Sequence, residues 1–328
     1  MLDLHAGEAP TIAFHDHAPE LETFAAATVR GLSAAEKSIP CQFLYDERGS
    51  ALFDRICELP EYYPTRTETL ILRDHSAEIA ARMGREAVLI ELGSGSSIKV
   101  RILLEAMSDP AAYVAVDISA EHLKRAAQAL AADYPELKVA AICADYSRAF
   151  ALPDLPGGGR RVGFFPGSTI GNLERPDALA FLKLWAERLG PDAAMLVGVD
   201  LKKDAATLNA AYDDAQGVTA AFSLNLLARA NRELGADFDL AAFRHRAVYD
   251  EAAGSVRIHL VSARRQTVRL AGRAFELAEG EAIHVENSNK YSLQDFADLA
   301  GEAGFTPATA WTDAKGLFSL HYLTTPPA

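Results

Sequence analysis

The chain has 328 residues, enough for one large hydrophobic core or two domains of ordinary size. Hydrophobic residues make up 49% and charged residues 23%, a composition typical of folded globular proteins. A net charge of −13 disfavours nucleic acid or an anionic membrane as a partner. No apolar run approaches the ~18 residues of a membrane span, and the N-terminal segment lacks the pattern of a secretory signal. We therefore expect a cytoplasmic protein. Its oligomeric state is open, with a monomer favoured.

The first part of the chain, residues 20–85, has a mainly helical pattern with a patch of polar and aromatic residues. Short apolar runs then alternate with helical patterns, which predicts βαβ units and a mostly parallel sheet. The predicted strands are 87–91, 113–117, 138–143, 162–165 and 194–199, and the predicted helices between them end near residues 107, 132 and 189. Ser119 stands where an N-cap is expected, just before the helix that starts near Glu121.

Residues 205–285 depart from this alternation. A long helical stretch carries an apolar stripe at helical spacing, which predicts a buried helix face. The stripe consists of Phe222, Leu226, Ala230 and Leu234. Two β-like runs at 255–262 and 266–270 are interpreted as a hairpin. The alternation returns with a predicted helix at 293–303 and predicted strands near 306–311 and 317–323. These patterns predict an α/β nucleotide-binding core that is interrupted by a subdomain covering the substrate.

The strongest local signal is a glycine-rich run, Glu91–Ser97, directly after the first predicted strand of the core. Gly93 and Gly95 have no Cβ, so the backbone can leave the strand sharply and approach a ligand. A dinucleotide-binding motif requires a third small residue where Ile98 stands, so this turn suits a nucleoside without a pyrophosphate. Taken alone, the two glycines are equally consistent with a tight turn that binds nothing.

Polar residues also follow the next two predicted strands. Asp117 ends the second strand, 24 residues after Gly93, where doubly wound folds place a carboxylate that binds ribose hydroxyls. Asp145 and Tyr146 follow the third strand and suit the amine and ring of an adenine. The carboxyl ends of parallel strands meet at one edge of the sheet. Asp117 alone could simply cap a helix, but the ordered set favours a nucleoside site.

Longer strings resemble a particular family, the histidine Nα-methyltransferases that begin ergothioneine synthesis. These strings are Phe43–Asp54, Leu59–Glu68, Leu92–Gly95 with Lys99, Phe165–Asn172, Gly198–Asp204, Ala211–Ala215 and Glu286–Ser288. The resemblance extends from about residue 38 to about residue 323. It implies a Rossmann-like class I methyltransferase core with an additional substrate-binding subdomain. We predict that residues 62–199 and 287–328 form the core, and that residues 20–61 and 200–286 form the subdomain.

The resemblance also implies a reaction and the residues that carry it. Family members methylate the α-amine of L-histidine three times to give hercynine, with S-adenosylmethionine as methyl donor and S-adenosylhomocysteine as product. The implied cofactor site consists of Gly93, Lys99, Asp117, Asp145 and Tyr146. The implied histidine site has Asn172 and Tyr212 at the carboxylate, Tyr45, Gly167 and Asn172 at the amine, and Tyr62, Glu286 and Ser288 at the imidazole. No metal is implied, and the histidines of the chain lack the spacing of metal ligands.

One position departs from the family pattern. Ile258 stands where many members carry methionine beside the imidazole, which predicts a reshaped wall rather than a new specificity. Two other functions stay open. An α-N-methyltransferase for tryptophan or tyrosine is disfavoured by Glu286, whose carboxylate has no obvious partner on a phenol, although an indole N–H could donate to it. A non-catalytic S-adenosylmethionine-binding protein would be expected to lose the residues that face the amine. Outside the resemblance, Tyr45 and Tyr62 could be ordinary packing residues.

Overall fold

An eight-stranded sheet organises the larger part of the molecule. The computed structural model describes residues 12–17, 22–94, 98–154 and 158–328. The strands, in their order across the sheet, are β1 (Ala13–Asp16), β4 (Lys138–Cys143), β3 (Ala112–Asp117), β2 (Val88–Leu92), β5 (Arg161–Phe165), β6 (Ala194–Asp200), β13 (Phe318–Thr324) and β12 (Thr306–Thr312). The first six strands run parallel, whereas β13 is antiparallel to both β6 and β12. The predicted α/β class with a mostly parallel sheet is confirmed.

Helices cover both faces of this sheet. One face is covered by α3 (Pro64–Met83), α4 (Ile98–Ala106) and α5 (Ala120–Asp133), and the other by α6 (Arg175–Leu189) and α9 (Leu293–Glu302). The central strands β2 and β6 are buried along their whole length and are apolar except for Glu91 and Asp200, as expected when a parallel sheet is covered on both sides. Trp185 of α6 is fully buried, and its indole N–H donates to the carbonyl of Tyr146 at 3.0 Å. This contact ties α6 to the segment that follows β4.

A second hydrophobic cluster lies in the smaller part of the chain. It is formed by a three-stranded antiparallel sheet, a separate hairpin and helices that precede them in the sequence. These elements are α1 (Phe24–Ser33), α2 (Glu47–Glu58), α7 (Ala205–Tyr212), α8 (Val218–Leu234), β7 (Phe243–Asp250), β8 (Ser255–Ser262), β9 (Gln266–Leu270), β10 (Arg273–Leu277) and β11 (Ala282–Asn289). Phe222, Leu226 and Ala230 are buried and Leu234 is half-buried, so the predicted stripe is a core face. The division into two domains at the stated boundaries stays a prediction.

The predicted hairpin between residues 255–262 and 266–270 is wrong, although both strands exist with those bounds. The two edges of β8 are occupied by β7 and β11, each eight residues long, so β9 has no edge on which to pair. Instead β9 pairs with β10 through a turn at Ala271 and Gly272. Both turn residues have positive φ, which matches the twist of a two-residue hairpin. The sequence analysis also missed β1, β7, β10 and β11.

The helix caps differ from those predicted from the sequence. Ser119 does precede α5, but its side chain makes no capping hydrogen bond. The backbone amide of Ser119 donates to the Asp117 carboxylate. Ser292, which was not predicted as a cap, forms a reciprocal capping box with Asp295 at the start of α9. Within the described ranges, no helix is long and apolar enough to cross a membrane.

Candidate active site

The carboxyl ends of the parallel strands carry most of the predicted site. The strand order reverses between β2 and β5, and in open α/β sheets ligands bind at such a switch point. Gly93, Asp117 and Asp145 follow β2, β3 and β4, and the Pro166–Gly167 turn follows β5. Asp200 is the last residue of β6. Polar groups from five strands therefore meet at one edge of the sheet.

The predicted cofactor residues form a cradle at this edge. Gly93 has φ +74°, and a Cβ on it would meet the ring of Tyr146 at 3.7 Å, so a glycine keeps the space beside that ring open. Asp117 accepts a hydrogen bond from the amide of Ser119 at 2.8 Å, and burial raises its pKa. Asp145 accepts from the amide and the hydroxyl of Ser147. A carboxylate has about four acceptor positions, so both retain capacity for a ligand. Gly95 lies outside the described residues.

Lys99 and Gly167 are joined by a residue that the sequence analysis did not single out. Glu68 of α3 is fully buried, and its two oxygens accept the amide of Gly167 at 3.0 and 2.9 Å. The ammonium of Lys99 donates to the same carboxylate. A Cβ at position 198 would lie 2.1 Å from Glu68 Oε1, so Gly198 is required for this approach. Glu68 therefore links a predicted cofactor residue to a predicted amine residue.

Tyr45 lies near Glu286, in a group of side chains that we call the cleft, and 41% of its surface is exposed. The other members of the cleft are Tyr62, Tyr212 and Ser288. The Tyr45 ring packs edge-on against Phe53 and Phe222, with centroids 5.5 and 5.4 Å away. Although part of the ring is exposed, the surrounding protein reduces the solvation of the hydroxyl, and this effect, followed by the charge of Glu286, raises the pKa of Tyr45. Asp46, the next residue, caps α2 through Gly49 and accepts from side chains of α8, which fixes the backbone that carries Tyr45. Tyr45 thus presents a neutral hydroxyl near Glu286.

A β-bulge determines which way Glu286 points. The register of β11 against β8 shifts between His284 and Glu286, so that Val285 is an extra residue. Without the bulge, His284 and Glu286 would share a face of the sheet; with it, Glu286 lies opposite Ile258, which is on the buried face. No hydrogen bond or ion pair reaches the Glu286 carboxylate from the described residues. Burial, partly offset by the charge of Lys290, raises its pKa to about 7.

The other predicted substrate residues gather around Glu286. Tyr62 is buried, and its ring packs edge-on against Tyr212 with the centroids 6.0 Å apart. Burial is the main cause of the raised pKa of Tyr62, and the charge of Glu286 makes a smaller contribution. The hydroxyls of Tyr212 and Ser288 are 2.7 Å apart. Ser288 shares the face of β11 with Glu286, since Val256 and Ile258, their partners on β8, are two residues apart.

Asn172 approaches from the core side of the cleft. It ends the 3-10 helix Thr169–Asn172, which packs against β11. A Cβ on Gly171 would lie 2.8 Å from the carbonyl oxygen of Asn289, so the glycine permits this packing. The side chain of Asn172 is half-buried and makes no hydrogen bond within the described part of the chain. Its amide is therefore available to a ligand.

Behind Tyr212 and Ser288 lies a buried ionic cluster, which we call the Asp200 cluster. It consists of Asp200, Tyr63, Lys203 and Lys290. Asp200 is fully buried and accepts from Tyr63 at 2.8 Å, from Lys203 at 2.7 Å and from Lys290 at 2.5 Å. Burial alone would raise the pKa of Asp200, but the charges of Lys290 and Lys203 outweigh it and hold the pKa below its usual range. Lys290 also donates to Tyr212 and Ser288, at 2.8 and 2.7 Å.

Comparison with known proteins identifies the family. A profile of histidine-specific, S-adenosylmethionine-dependent methyltransferases matches residues 24–325. The chain belongs to this family. The histidine N-alpha-methyltransferase of Mycolicibacterium smegmatis is 45% identical over 295 residues, which cover 88% of this chain and 91% of that protein. The protein of the same name from Mycobacterium tuberculosis is 42% identical with the same coverage. Ergothioneine biosynthesis protein 1 of Neurospora crassa is 35% identical over 88% of this chain, which covers 33% of that longer protein.

The family predicted from the sequence motifs is thus confirmed, whereas the role of each residue stays a prediction. The fold brings Tyr45, Tyr62, Tyr212, Glu286 and Ser288 into one cleft at the end of the parallel strands. Five further residues of the site were not predicted from the sequence, although the first four lie inside the strings that resemble the family: Glu68, Tyr63, Asp200, Lys203 and Lys290. A charged residue at the very end of an otherwise apolar strand, as at Asp200, was a signal that could have identified one of them. In the described ranges, no group of three or more metal-ligating side chains occurs.

The buried Glu68–Lys99 pair generates a prediction about stability. Glu68→Gln keeps the shape of the side chain but leaves the ammonium of Lys99, only 13% exposed, without its counter-charge. We expect the free energy of unfolding to fall by about 3 kcal/mol, measured by denaturant titration. Adding Lys99→Met to this variant should restore part of the loss. Asp74→Asn, an exposed change on the same helix, is the control and should have an effect within about 0.5 kcal/mol. The prediction would be contradicted if Glu68→Gln were as stable as Asp74→Asn.

Proposed function

We propose that this chain transfers methyl groups from S-adenosylmethionine to the α-amine of free L-histidine, and that three transfers give hercynine, the first stage of ergothioneine synthesis. The observation that carries the substrate assignment is the Glu286 carboxylate. It lies in the cleft, half-buried and without a hydrogen-bond partner in the described structure, and a ring N–H of imidazole would satisfy it. Burial of such an acceptor is costly unless a ligand pairs with it. The relatives named above carry histidine in their names, which supports the same assignment.

The groups around the cleft suit both the α-carboxylate and the side-chain ring of histidine. The Asp200 cluster contains two ammonium groups and one carboxylate, so its charge favours the α-carboxylate of a ligand beside Tyr212. The predicted partner on the other side is the amide of Asn172. Glu286 is then left for the ring. The Ile258 side chain, opposite Glu286, supplies an apolar wall for the face of the imidazole.

The residues at the strand ends fit a nucleoside-containing donor. Gly93 leaves room beside Tyr146, and Asp117 retains acceptor positions for ribose hydroxyls. When bound, S-adenosylmethionine supplies an electrophilic methyl group on a sulfonium. The remaining task of the protein is to orient the amine and exclude water. Tyr45, the Gly167 carbonyl and Asn172 are the groups proposed to hold the amine in its neutral form. We further propose that the protein acts in the cytoplasm, without a metal, and as a monomer.

A panel of amino acids tests the substrate. With S-adenosylmethionine present, mass spectrometry should find a gain of three methyl groups on histidine and none on tryptophan, tyrosine or phenylalanine. Glu286→Ala should lower kcat/KM for histidine by about 10- to 150-fold, which corresponds to about 1.5–3 kcal/mol, because a bond to a charged group is lost. Larger aromatic substrates should lose less or gain. Glu276→Ala, an exposed carboxylate on β10, is the matched control. A uniform loss across all substrates would mean that Glu286 supports the fold instead.

The raised pKa of Glu286 predicts a pH dependence. Only the carboxylate form is a good acceptor for an imidazole N–H, and the group loses its proton near pH 7. The kcat/KM for histidine should therefore rise through about pH 7, and this limb should be absent in Glu286→Gln. The substrate itself should add two limbs to the profile of both proteins. One comes from its amine, with a pKa at or above about 7.7–8.0, and the other from its ring, with a pKa of about 6.5. Superimposable profiles of the two proteins between about pH 6 and about pH 9 would refute the role of Glu286.

Tyr45→Phe tests the amine contact. The ring contacts with Phe53 and Phe222 do not need the hydroxyl, so the fold should be unaffected. If the hydroxyl orients the amine, kcat should fall about tenfold or more, and the rise in KM should be smaller. Tyr134→Phe, a change at a distant tyrosine whose hydroxyl meets Glu105 on the surface, is the control. A Tyr45→Phe enzyme with wild-type kcat would show that Tyr45 only packs.

A further inference from the structure

Lys290 is the most buried cation near the cleft, and its hydrogen bonds are fully assigned. Its side chain has no exposed surface. An ammonium has three donor hydrogens. Asp200, Tyr212 and Ser288 accept them at 2.5, 2.8 and 2.7 Å. Lys290 therefore has no donor left for a ligand, and any effect on the substrate must pass through Tyr212 and Ser288.

The geometry of these three groups restricts what the two hydroxyls can do. The Lys290 nitrogen, the Tyr212 oxygen and the Ser288 oxygen form a triangle with sides of 2.7 to 2.8 Å. Each hydroxyl has one hydrogen and each already accepts from Lys290. Because one hydroxyl must donate to the other across 2.7 Å, only one O–H remains to point out of the triangle. The pair therefore offers a ligand one donor from one residue and an acceptor position from the other.

We propose that Lys290 is a positioning residue that couples Tyr212 and Ser288, so that Tyr212 donates to the substrate carboxylate while Ser288 accepts from a substrate N–H. The proposal rests on the proposed function, since it takes an amino acid with a donor on its side chain as the ligand. A carboxylate beside Tyr212 draws the phenolic hydrogen toward itself. Ser288 then donates to Tyr212, and the remaining lone pair of Ser288 faces the cleft next to Glu286. Recognition of the carboxylate and of the ring are thereby linked.

Lys203 provides the control that separates a positioning role of Lys290 from a merely structural one. Lys203 is also buried, with 7% of its side chain exposed, and it also pairs with Asp200, at 2.7 Å. Its remaining hydrogen bonds go to Tyr63 and to the carbonyl of Leu201, and none goes to Tyr212 or Ser288. Lys290→Met and Lys203→Met therefore remove the same charge from the same carboxylate. Only Lys290→Met also removes the link to the two hydroxyls.

The experiment compares substrates with and without a carboxylate. For each purified protein, kcat/KM is measured for histidine and for histidinamide, and their ratio is the readout. The wild-type enzyme should prefer histidine. In Lys290→Met this preference should shrink about tenfold or more, the loss expected for a hydrogen bond to a charged group. In Lys203→Met the ratio should shrink clearly less, because this variant removes the same charge from the Asp200 cluster but leaves the link to Tyr212 and Ser288 intact. Adding Lys290→Met to Tyr212→Phe should shrink the ratio by much less than it does in the wild type, since the donor is already absent and only the charge is lost.

The outcomes separate this proposal from the substrate assignment. If the panel shows that another amino acid is methylated, the same ratio is measured with that amino acid and its amide. The role of Lys290 is then tested even though the assignment of histidine as substrate has failed. An unchanged ratio in Lys290→Met, or an equal change in Lys203→Met, overturns the proposal. If Lys290→Met does not fold, as judged by circular dichroism and S-adenosylhomocysteine binding, Lys290→Gln replaces it. Its amide can donate to one hydroxyl but carries no charge, and the ratio should fall between those of the wild type and Tyr212→Phe.

Discussion

Asp200 is a carboxylate with no access to solvent at the end of a strand that is buried along its whole length. Such a charge is tolerated only when it is paired and hydrogen-bonded. Its partners come from different parts of the chain: Tyr63 precedes α3, Lys203 follows β6, and Lys290 follows β11. The requirement to neutralise one buried carboxylate therefore joins the parallel sheet to the elements that surround the substrate cleft, and it holds Lys290 against Tyr212 and Ser288.

Glu68 serves the donor side of the cleft in a comparable way. It is buried beneath the turn after β5, where it accepts the amide of Gly167 and the ammonium of Lys99. Two buried carboxylates thus support the cleft, one on each side, and neither needs to touch a ligand. A site that transfers a methyl group gains mainly from orientation. Rigid, charge-assisted contacts behind the ligand-facing groups are a physical means of providing that orientation.

The proposed recognition of the substrate ring depends on a local irregularity of the sheet. The bulge at Val285 turns Glu286 onto the buried face of β11, where it has no protein partner and its pKa is raised to about 7 by burial. A carboxylate in this state is costly to the free protein and is relieved by a ligand that donates to it. The same register places the apolar side chain of Ile258 opposite Glu286, at the position where the resemblance predicts a departure from methionine. This change alters the shape of the wall without removing the charge that is proposed to recognise the ring.

The sequence by itself determined the alternation of strands and helices, the glycine turn after β2 and the acidic residues after β3 and β4, because neighbouring residues encode these features. The long motifs determined the family. Only the tertiary structure decided that β8 pairs with β7 and β11 rather than with β9, and that Glu286 shares a face with Ile258. It also decided the contacts of Glu68 with Gly167, 99 residues away, and of Lys290 with Asp200, 90 residues away. The two long-range contacts depend on how elements far apart in the chain pack together. The placement of Glu286 depends on strand register, in which a single extra residue moves a side chain to the other face of the sheet, and no local pattern records where that residue is inserted.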